Sequence, residues 1–227
     1  MAYRHSPARL QKDGELRERI LELALARVAD GGFSALTMQS LADAAGIATG
    51  SLYRHFSGKG ELAAEVFARA SQREVDILGT LLKAPGSASE RLNLGLQQFA
   101  ARAWGSRQLA FALIAEPVAP EVDEQRLIYR EAYAALFVTL LEQGIASGEF
   151  QPQPVQLTAA CLVGAIAEAL IGPLSPPARA ARDAGHSGVS LEDVSDALAS
   201  FCLRAVGAFP AALPKPAQPT PVMEDQP

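Results

Sequence analysis

Apolar residues recur with helical spacing directly after Thr37. They occupy positions i, i+3, i+4 and i+7 of the following segment, at Met38, Leu41, Ala42 and Ala45. This pattern predicts a two-turn helix that buries one face. The side chain of Thr37 is expected to cap its N-terminus, and Gly46 is expected to end it.

A second short helix is predicted from about residue 49 to residue 55, with Leu52 and Phe56 facing inward. Two short helices joined by a glycine-containing turn have the outline of a helix-turn-helix unit, whose second helix enters the major groove of DNA. The outward residues of this second helix are small, aromatic or cationic, and none is acidic. They are Thr49, Gly50, Ser51, Tyr53, Arg54 and His55.

The remaining chain also has helical periodicity, and no stretch shows the sustained β-branched alternation that is typical of strands. We therefore expect an all-α fold of about nine helices. They are predicted at residues 13–30, 38–45, 49–55, 59–82, 89–104, 107–115, 120–144, 154–172 and 190–208. Residues 173–189 are rich in Pro, Gly and Ala and are predicted to be a mobile loop.

Proline, glycine and charge divide the chain into an arm, two domains and a tail. Residues 1–13 are polar and basic, and residues 210–227 contain six prolines, so both segments are predicted to be disordered. Residues 14–58 are predicted to form the helix-turn-helix domain. Residues 59–209 are predicted to form a helical regulatory and dimerisation domain, and the helix from 59 to about 82 links the two.

The charge of the chain is uneven along its length. The formal net charge is −5, but residues 1–60 hold eight lysines and arginines against six aspartates and glutamates, and the remainder holds twelve against nineteen. A basic N-terminal region followed by an acidic remainder suits a protein whose partner is double-stranded DNA, although this charge imbalance is modest.

The two cysteines, Cys161 and Cys202, lie in apolar runs without metal-ligand spacing. They are predicted to be buried free thiols in a reducing compartment. The N-terminus lacks the apolar core of a signal peptide, and the most apolar run, residues 157–167, is shorter than the roughly 20 residues that a bilayer requires. We expect a cytoplasmic protein with no membrane partner, no metal and no cofactor.

The amino-acid sequence of residues 46–62 identifies a protein family more specifically than the general helix-turn-helix outline does. Gly-Ile-Ala-Thr-Gly-Ser-Leu-Tyr-Arg-His-Phe, followed by Ser-Gly-Lys-Gly-Glu-Leu, closely resembles the DNA-binding domain of the tetracycline-repressor (TetR) family of transcriptional regulators. The resemblance covers roughly residues 16–67. The chain departs from the family's usual pattern at Ala48, where Ser or Thr is common, at Gly58, where Ser, Asn or Asp is common, and at Gly60, where Glu or Asp is usual.

The resemblance implies which residues meet DNA. By position, Thr37, Tyr53, His55 and Lys59 correspond to residues that contact phosphates. Thr49, Gly50, Ser51 and Arg54 correspond to those that face base edges, where an arginine can fork onto a guanine and Gly50 allows close approach of the backbone. For Tyr53, packing against the first helix remains an alternative, as do capping of the next helix for His55 and a backbone contact for Arg54.

The resemblance also implies a homodimer in which the last two helices of each subunit form a four-helix bundle. Residues 154–172 are apolar on nearly every side, and Gly164 would allow a second helix to approach closely. The candidate interface residues are Ala160, Gly164, Ala167, Leu198 and Phe201.

The resemblance further implies a repressor that is released from DNA by a small-molecule effector bound in the C-terminal domain. Candidate cavity residues are the aromatic side chains of the body and the charged side chains on its apolar helices, with plain core packing as the alternative for the former. They are Phe99, Arg102, Trp104, Phe111, Glu116, Arg126, Tyr129, Arg130, Tyr133 and, among the aromatic residues, Phe137. An ion pair between Glu116 and Arg126 or Arg130 is the structural alternative for the charged set.

Two other functions remain open from the sequence. A constitutive repressor would share the DNA-binding domain but have a filled body without a ligand pocket. A helical enzyme is disfavoured, because the chain has no phosphate-binding loop, dinucleotide glycine pattern, zinc spacing or nucleophile elbow. Two of its three histidines, His5 and His186, lie in predicted arm or loop.

Overall fold

The computed structural model describes residues 7–208, and every regular element within that range is helical. The N-terminal elements are α1 (Pro7–Gly31), a 3₁₀ helix (Phe33–Ala35), α2 (Met38–Ala45), α3 (Thr49–Leu52) and α4 (Lys59–Leu82). The following elements are α5 (Ala88–Gly105), α6 (Arg107–Ile114), α7 (Pro120–Ala146), α8 (Val155–Leu174), α9 (Pro176–Asp183) and α10 (Leu191–Ala205). The all-α prediction is confirmed, with ten α-helices in the described range instead of nine.

Two predicted irregular segments are helical. The first helix begins at Pro7 and not near residue 13, because Pro7 suits the first turn and the following residues favour helix. The predicted loop 173–189 contains α9, where Pro176 occupies the first turn and the Ser175 hydroxyl accepts a hydrogen bond from the Ala178 N–H. Residues 1–6 of the predicted arm and the proline-rich tail lie outside the described residues.

The helices enclose two hydrophobic cores. The smaller core joins α1, α2 and α3 to the first half of α4, and it also receives Ala112 from α6 and Val122 from α7. The larger core lies between α5, α7, α8, α10 and the second half of α4. Helices α6 and α7 therefore complete the smaller core.

Helix α4 belongs to both cores. Leu62 and Val66 near its start are fully buried in the smaller core, while Leu78 and Leu82 near its end are buried in the larger one. Ion pairs between Arg17 and Glu65 and between Arg69 and Glu18 fasten it to α1. One continuous helix therefore contributes to both cores.

Candidate DNA-binding face and ligand cavity

Helix α2 has the termini that its sequence predicts. The Thr37 side chain accepts a hydrogen bond from the Ser40 N–H at 3.2 Å, which satisfies one of the free amides of the first turn. Gly46 ends the helix in the left-handed conformation, with φ +68°, which glycine adopts without strain.

Helix α3 is shorter than predicted and ends at Leu52, with turns continuing to His55. Ala48 offers no side-chain cap at its N-terminus. Instead, the Thr49 hydroxyl donates to Gln39 Oε1 of α2 at 2.8 Å and thereby ties the two helices together. The missing cap explains why a four-residue helix needs support from its neighbour.

The predicted DNA contacts share one property, which is that none of their side chains is buried in this subunit. Tyr53 is 54% exposed. Arg54 is exposed, and its guanidinium donates only to the Ser51 hydroxyl, at 3.0 Å, among the described residues. Exposed or half-exposed with them are Thr37, Thr49, Gly50, Ser51, His55 and Lys59.

The start of α4 adds a cation beside these residues. Gly58 provides no side-chain cap, but Glu61 accepts a hydrogen bond from the Ser57 N–H. The pKa of Glu61 is lowered by hydrogen bonding to the Ser57 side chain and, next, to the Ser57 N–H. Lys59 is exposed at the first position of the helix. A lysine and free amides at a helix N-terminus can both meet a phosphate.

A cavity of about 460 Å³ lies between α4, α5, α6, α7 and α8. Its wall contains six of the residues named from sequence as ligand candidates, together with Phe137. Those six are Phe99, Arg102, Arg126, Tyr129, Arg130 and Tyr133. The Phe99 and Tyr133 rings pack edge to face with centroids 6.1 Å apart, and burial, followed by the charge of Glu74, raises the pKa of Tyr133.

Three other ligand candidates lie outside this wall. Trp104 is not part of the cavity wall, and the guanidinium groups of Arg107 and Arg182 lie over its ring, 4.8 and 5.0 Å from the centroid. Phe111 packs against the larger core. Glu116 turns towards the DNA-binding domain. Sequence periodicity does not separate these residues from the cavity set, because neighbouring turns of one helix face different surroundings.

Glu116 links the segment between α6 and α7 to the N-terminal helices. Its carboxylate accepts hydrogen bonds from the N–H groups of Phe33, at 2.9 Å, and Ser34, at 3.0 Å, which begin the 3₁₀ helix. Gly32 just before it has φ +75°, and a Cβ atom there would collide with the Glu116 carboxylate. Glycine therefore supplies both the backbone conformation and the room for this contact. The Glu116 carboxylate thus accepts from backbone amides and forms no ion pair with Arg126 or Arg130, so that prediction is wrong.

Arg126 holds the same junction from the other side. Its guanidinium donates to the backbone oxygens of Ala112, Leu113 and Glu116 at 3.1–3.4 Å and to the Asp123 carboxylate at 2.6 Å. Burial lowers the pKa of Arg126, and the Asp123 charge opposes that shift. Since Arg126 also lines the cavity, one side chain contacts both the cavity and the segment that carries Glu116.

Comparison with known proteins gives a consistent assignment. The family described as bacterial regulatory proteins, tetR family, matches residues 20–66, and a tetracyclin repressor-like C-terminal domain matches residues 85–170. The transcriptional repressor KstR2 of Mycobacterium tuberculosis is 30% identical over 143 residues, which cover 60% of this chain and 70% of that protein. This chain belongs to the TetR family.

Other TetR-family proteins are similar over different lengths. The transcriptional repressor KstR of Rhodococcus jostii is 32% identical over 122 residues, which cover 53% of this chain and 51% of that protein. The fold agrees with that of the FadR regulator of Bacillus subtilis, solved in complex with stearoyl-CoA, with a TM-score of 0.67 and 20% identity over 83% of this chain and 98% of that one.

One departure from the TetR pattern has a structural counterpart. Gly60 stands where the family usually has an acidic residue, and a Cβ atom there would lie 2.5 Å from the carboxylate of Glu121, at the start of α7. An acidic group from the regulatory domain thus lies beside the first turn of α4. A carboxylate is favourable near a helix N-terminus, whichever element supplies it.

The predicted dimer residues fall into two groups. Ala160, Gly164 and Phe201 are exposed, and Phe201 is 51% exposed although it is a large apolar side chain. Ala167 is half-buried and lines the cavity. Leu198 was predicted at the interface but lies in the core of its own subunit, 4% exposed, so that prediction is wrong. Helix α10 buries the Leu198 side and exposes the Phe201 side.

Helix α8 presents further apolar surface. Leu157 is 65% exposed, and Cys161, which was predicted to be buried, is exposed beside it, whereas Cys202 is buried. Because α8 is apolar on nearly every side, its pattern could not indicate which face would be covered. By length and composition alone α8 would also qualify as a membrane-spanning helix. No cluster of potential metal ligands occurs among residues 7–208.

Proposed function

We propose that this TetR-family protein is a cytoplasmic homodimeric repressor. It binds a palindromic DNA operator and dissociates from it when a small-molecule effector occupies the cavity between α4 and α8. The observation that carries the proposal is the exposed, acid-free surface formed by α3 and the first residue of α4. Phosphate contacts are assigned to Thr37, Tyr53, His55 and Lys59, and base contacts to Thr49, Gly50, Ser51 and Arg54.

The homodimer is supported by the uncovered apolar faces of α8 and α10. Leu157 and Phe201 are each more than half exposed in the single subunit, and the small residues Ala160 and Gly164 lie exposed between turns of α8. Such a surface is unfavourable in water unless it is covered, and a second copy related by two-fold symmetry is the commonest solution. Two-fold symmetry in the protein matches two-fold symmetry in the operator.

The effector is supported by the cavity and by its connection to the DNA-binding domain. A constitutive repressor with a densely packed C-terminal domain would not have a cavity of about 460 Å³ beside Phe99 and Tyr133. Arg126 touches this cavity and also holds the backbone of the segment from which Glu116 caps the 3₁₀ helix. An effector that displaces Arg126 or α4 would therefore reorient the two DNA-binding domains and favour the conformation that does not fit the operator.

The proposed function is tested in two steps. Genomic fragments that bind the purified protein are selected and sequenced, and a fluorescent duplex carrying the recovered site is then titrated in the presence of candidate effectors. We expect a palindromic site and an effector that lowers the affinity for the duplex by about 5–150-fold. Failure to retain any fragment at low salt would refute the DNA-binding function, while a site that no effector releases would favour the constitutive repressor.

Thiol labelling tests the dimer separately. Cys161 lies on the exposed face of α8, whereas burial raises the pKa of the Cys202 thiol to about 11. In a dimer that covers α8, both thiols react slowly with a thiol reagent, and Phe201→Asp, which places charge on that face, accelerates the reaction of Cys161. Rapid labelling of Cys161 in the unaltered protein, together with a monomeric mass, would contradict the proposed interface.

A further inference from the structure

We propose that the effector is an apolar molecule with one anionic head group, and that Arg102 binds this head group. The inference rests on the proposed function, since it concerns the ligand of the same cavity. It depends on the shape of the cavity wall, on the excess of arginine in that wall, and on one guanidinium nitrogen that lacks an acceptor.

Most of the cavity wall is hydrocarbon. Aromatic rings from three helices meet there, and aliphatic side chains from α4, α5, α6 and α8 fill the spaces between them. The apolar wall includes Phe67, Leu78, Phe99, Leu109, Phe137 and Ile166. A volume of about 460 Å³ lies within the range of pockets that enclose a small organic ligand, and such a wall favours a ligand whose body carries few polar groups.

The ionisable groups of the wall are strongly unbalanced. Four arginines line the cavity, Arg73, Arg102, Arg126 and Arg130, against a single acidic residue, Glu74. The neighbouring charge of Arg130 lowers the pKa of Arg126 further, after burial. A ligand that brings negative charge relieves this repulsion, whereas a cationic ligand increases it.

Arg102 is the arginine with unused hydrogen-bonding capacity. Its Nε donates to Glu74 Oε2 at 2.8 Å, and the side chains of both residues are 25% exposed. Its Nη2 is buried and has no hydrogen-bond partner within the described part of the chain. A buried donor without an acceptor is unfavourable. No water-sized space adjoins Nη2 in this arrangement, so the guanidinium must turn towards the cavity before a ligand oxygen can accept from it; that charge-assisted hydrogen bond would then remove the penalty.

The remaining arginines explain how such a ligand would enter and why they are not the head-group site. Arg126 already donates to three backbone oxygens and to Asp123. Arg73 and Arg130 are exposed where α4 and α7 border the cavity, and exposed positive charge attracts anions from solution. The anionic head therefore belongs at Arg102, with the apolar body against the aromatic rings.

The experiment uses two matched pairs of probes with the full-length protein. Decanoate is compared with 1-decanol, and 2-naphthoate with 2-naphthol, at equal ionic strength. Binding is followed by the thermal midpoint of unfolding and by the fluorescence of Trp104, the only tryptophan, whose neighbours Ala103 and Gly105 line the cavity. In at least one pair we expect the acid to bind about 10-fold or more tightly than the alcohol.

Two substitutions in the ion pair are expected to act in opposite directions. Arg102→Gln removes the cation and should reduce the preference for the acid to less than about 2-fold, while Glu74→Gln removes the competing carboxylate and should increase it. Arg19→Gln, at an exposed position on α1, is the matched control. Because loss of folding would weaken both members of a probe pair, the ratio of acid to alcohol affinity isolates the head-group contact.

The inference is overturned if the alcohols bind as tightly as the acids, if no probe binds, or if Arg102→Gln leaves the preference unchanged. None of these outcomes depends on DNA. Failure of the proposed function is seen separately, as the absence of operator binding without any probe. If decanol releases the operator as well as decanoate does, the proposed function stands and the anionic head group does not.

Discussion

Arg54 on the DNA-binding face and Arg126 at the domain junction are the same residue type in opposite circumstances. Arg54 is exposed, and its guanidinium donates only to the hydroxyl of Ser51 among the described residues. Arg126 is 17% exposed at its side chain and donates to one carboxylate and three backbone oxygens. The Arg54 guanidinium retains most of its N–H donors for a DNA partner, whereas the Arg126 guanidinium uses its donors in contacts that stabilise the fold.

This contrast extends to the regions around the two arginines. The side chains of the DNA-binding face lie within one short segment of sequence. Their expected partner is DNA, not another part of the chain. The junction joins Glu116 to Phe33 and Ser34 across more than eighty positions of sequence. Substitutions on the face should therefore change binding and leave folding intact, while substitutions at the junction should change folding first.

Arg126→Met should have the largest effect. It leaves the backbone oxygens of Ala112, Leu113 and Glu116 without their donor and the Asp123 carboxylate without its partner, so we expect a loss of about 2–4 kcal/mol in the free energy of unfolding. Urea denaturation measures it. Arg130→Met, one turn further along α7 and exposed, is the control and should cost less than about 0.5 kcal/mol. Equal effects would contradict the structural role of Arg126.

Arg54→Ala should weaken operator binding by about 10–100-fold, the range of a bidentate contact to guanine, with the thermal midpoint unchanged. The measurement is fluorescence anisotropy with the operator duplex and with a duplex of unrelated sequence. If Arg54 reads a base, the loss is confined to the operator. A loss of equal size on both duplexes would move Arg54 from the base contacts to the phosphate contacts.

Glu116→Ala should have an intermediate effect at the boundary between the two regions. Loss of the carboxylate uncaps the Phe33 and Ser34 amides, which should cost about 0.5–2 kcal/mol of stability, as for other lost caps. The same variant should also reduce the effector-dependent change in operator affinity, measured as the ratio of affinities with and without effector. Glu124→Ala, exposed on α7, is the control, and a coupling ratio that stays at the wild-type value would remove Glu116 from the connection.

Lys59→Ala should have the smallest effect. As a phosphate contact, Lys59 contributes to all DNA sequences alike, so its removal should lower the slope of log affinity against log salt concentration by about one charge. Stability should be unaffected, since Lys59 is exposed at the first turn of α4. An unchanged slope would exclude Lys59 from the contact set.

The same contrast explains what could be predicted from the sequence. The caps of α2, at Thr37 and Gly46, depend on residues three or four positions apart, and both were predicted correctly. The end of α3 was placed too late because Ala48 gives the helix no cap and its support comes from Gln39. Local patterns identify local structure, and this accuracy declines as the supporting contacts become more distant.

The regulatory domain shows the limits of that approach. The pattern identified aromatic and charged residues on the body helices but could not separate Phe99, which lines the cavity, from Trp104, which two arginines cover. It also assigned Glu116 to the cavity, because nothing near it in sequence indicates that Gly32 leaves room for its carboxylate. A positive-φ glycine and a distant glutamate become a recognisable pair only once the helices are packed.

The shared use of Gly32 and Glu116 constrains any attempt to build hybrid regulators. A DNA-binding head from a relative, joined to this body, would have to bring a residue at position 32 that tolerates φ +75° and has no Cβ atom. Without it, a Cβ atom at position 32 would collide with the Glu116 carboxylate, and the contact between the two parts of the chain would be lost. Exchange of DNA-binding domains among such proteins should therefore succeed only when the hybrid keeps both a glycine at position 32 and the glutamate at position 116.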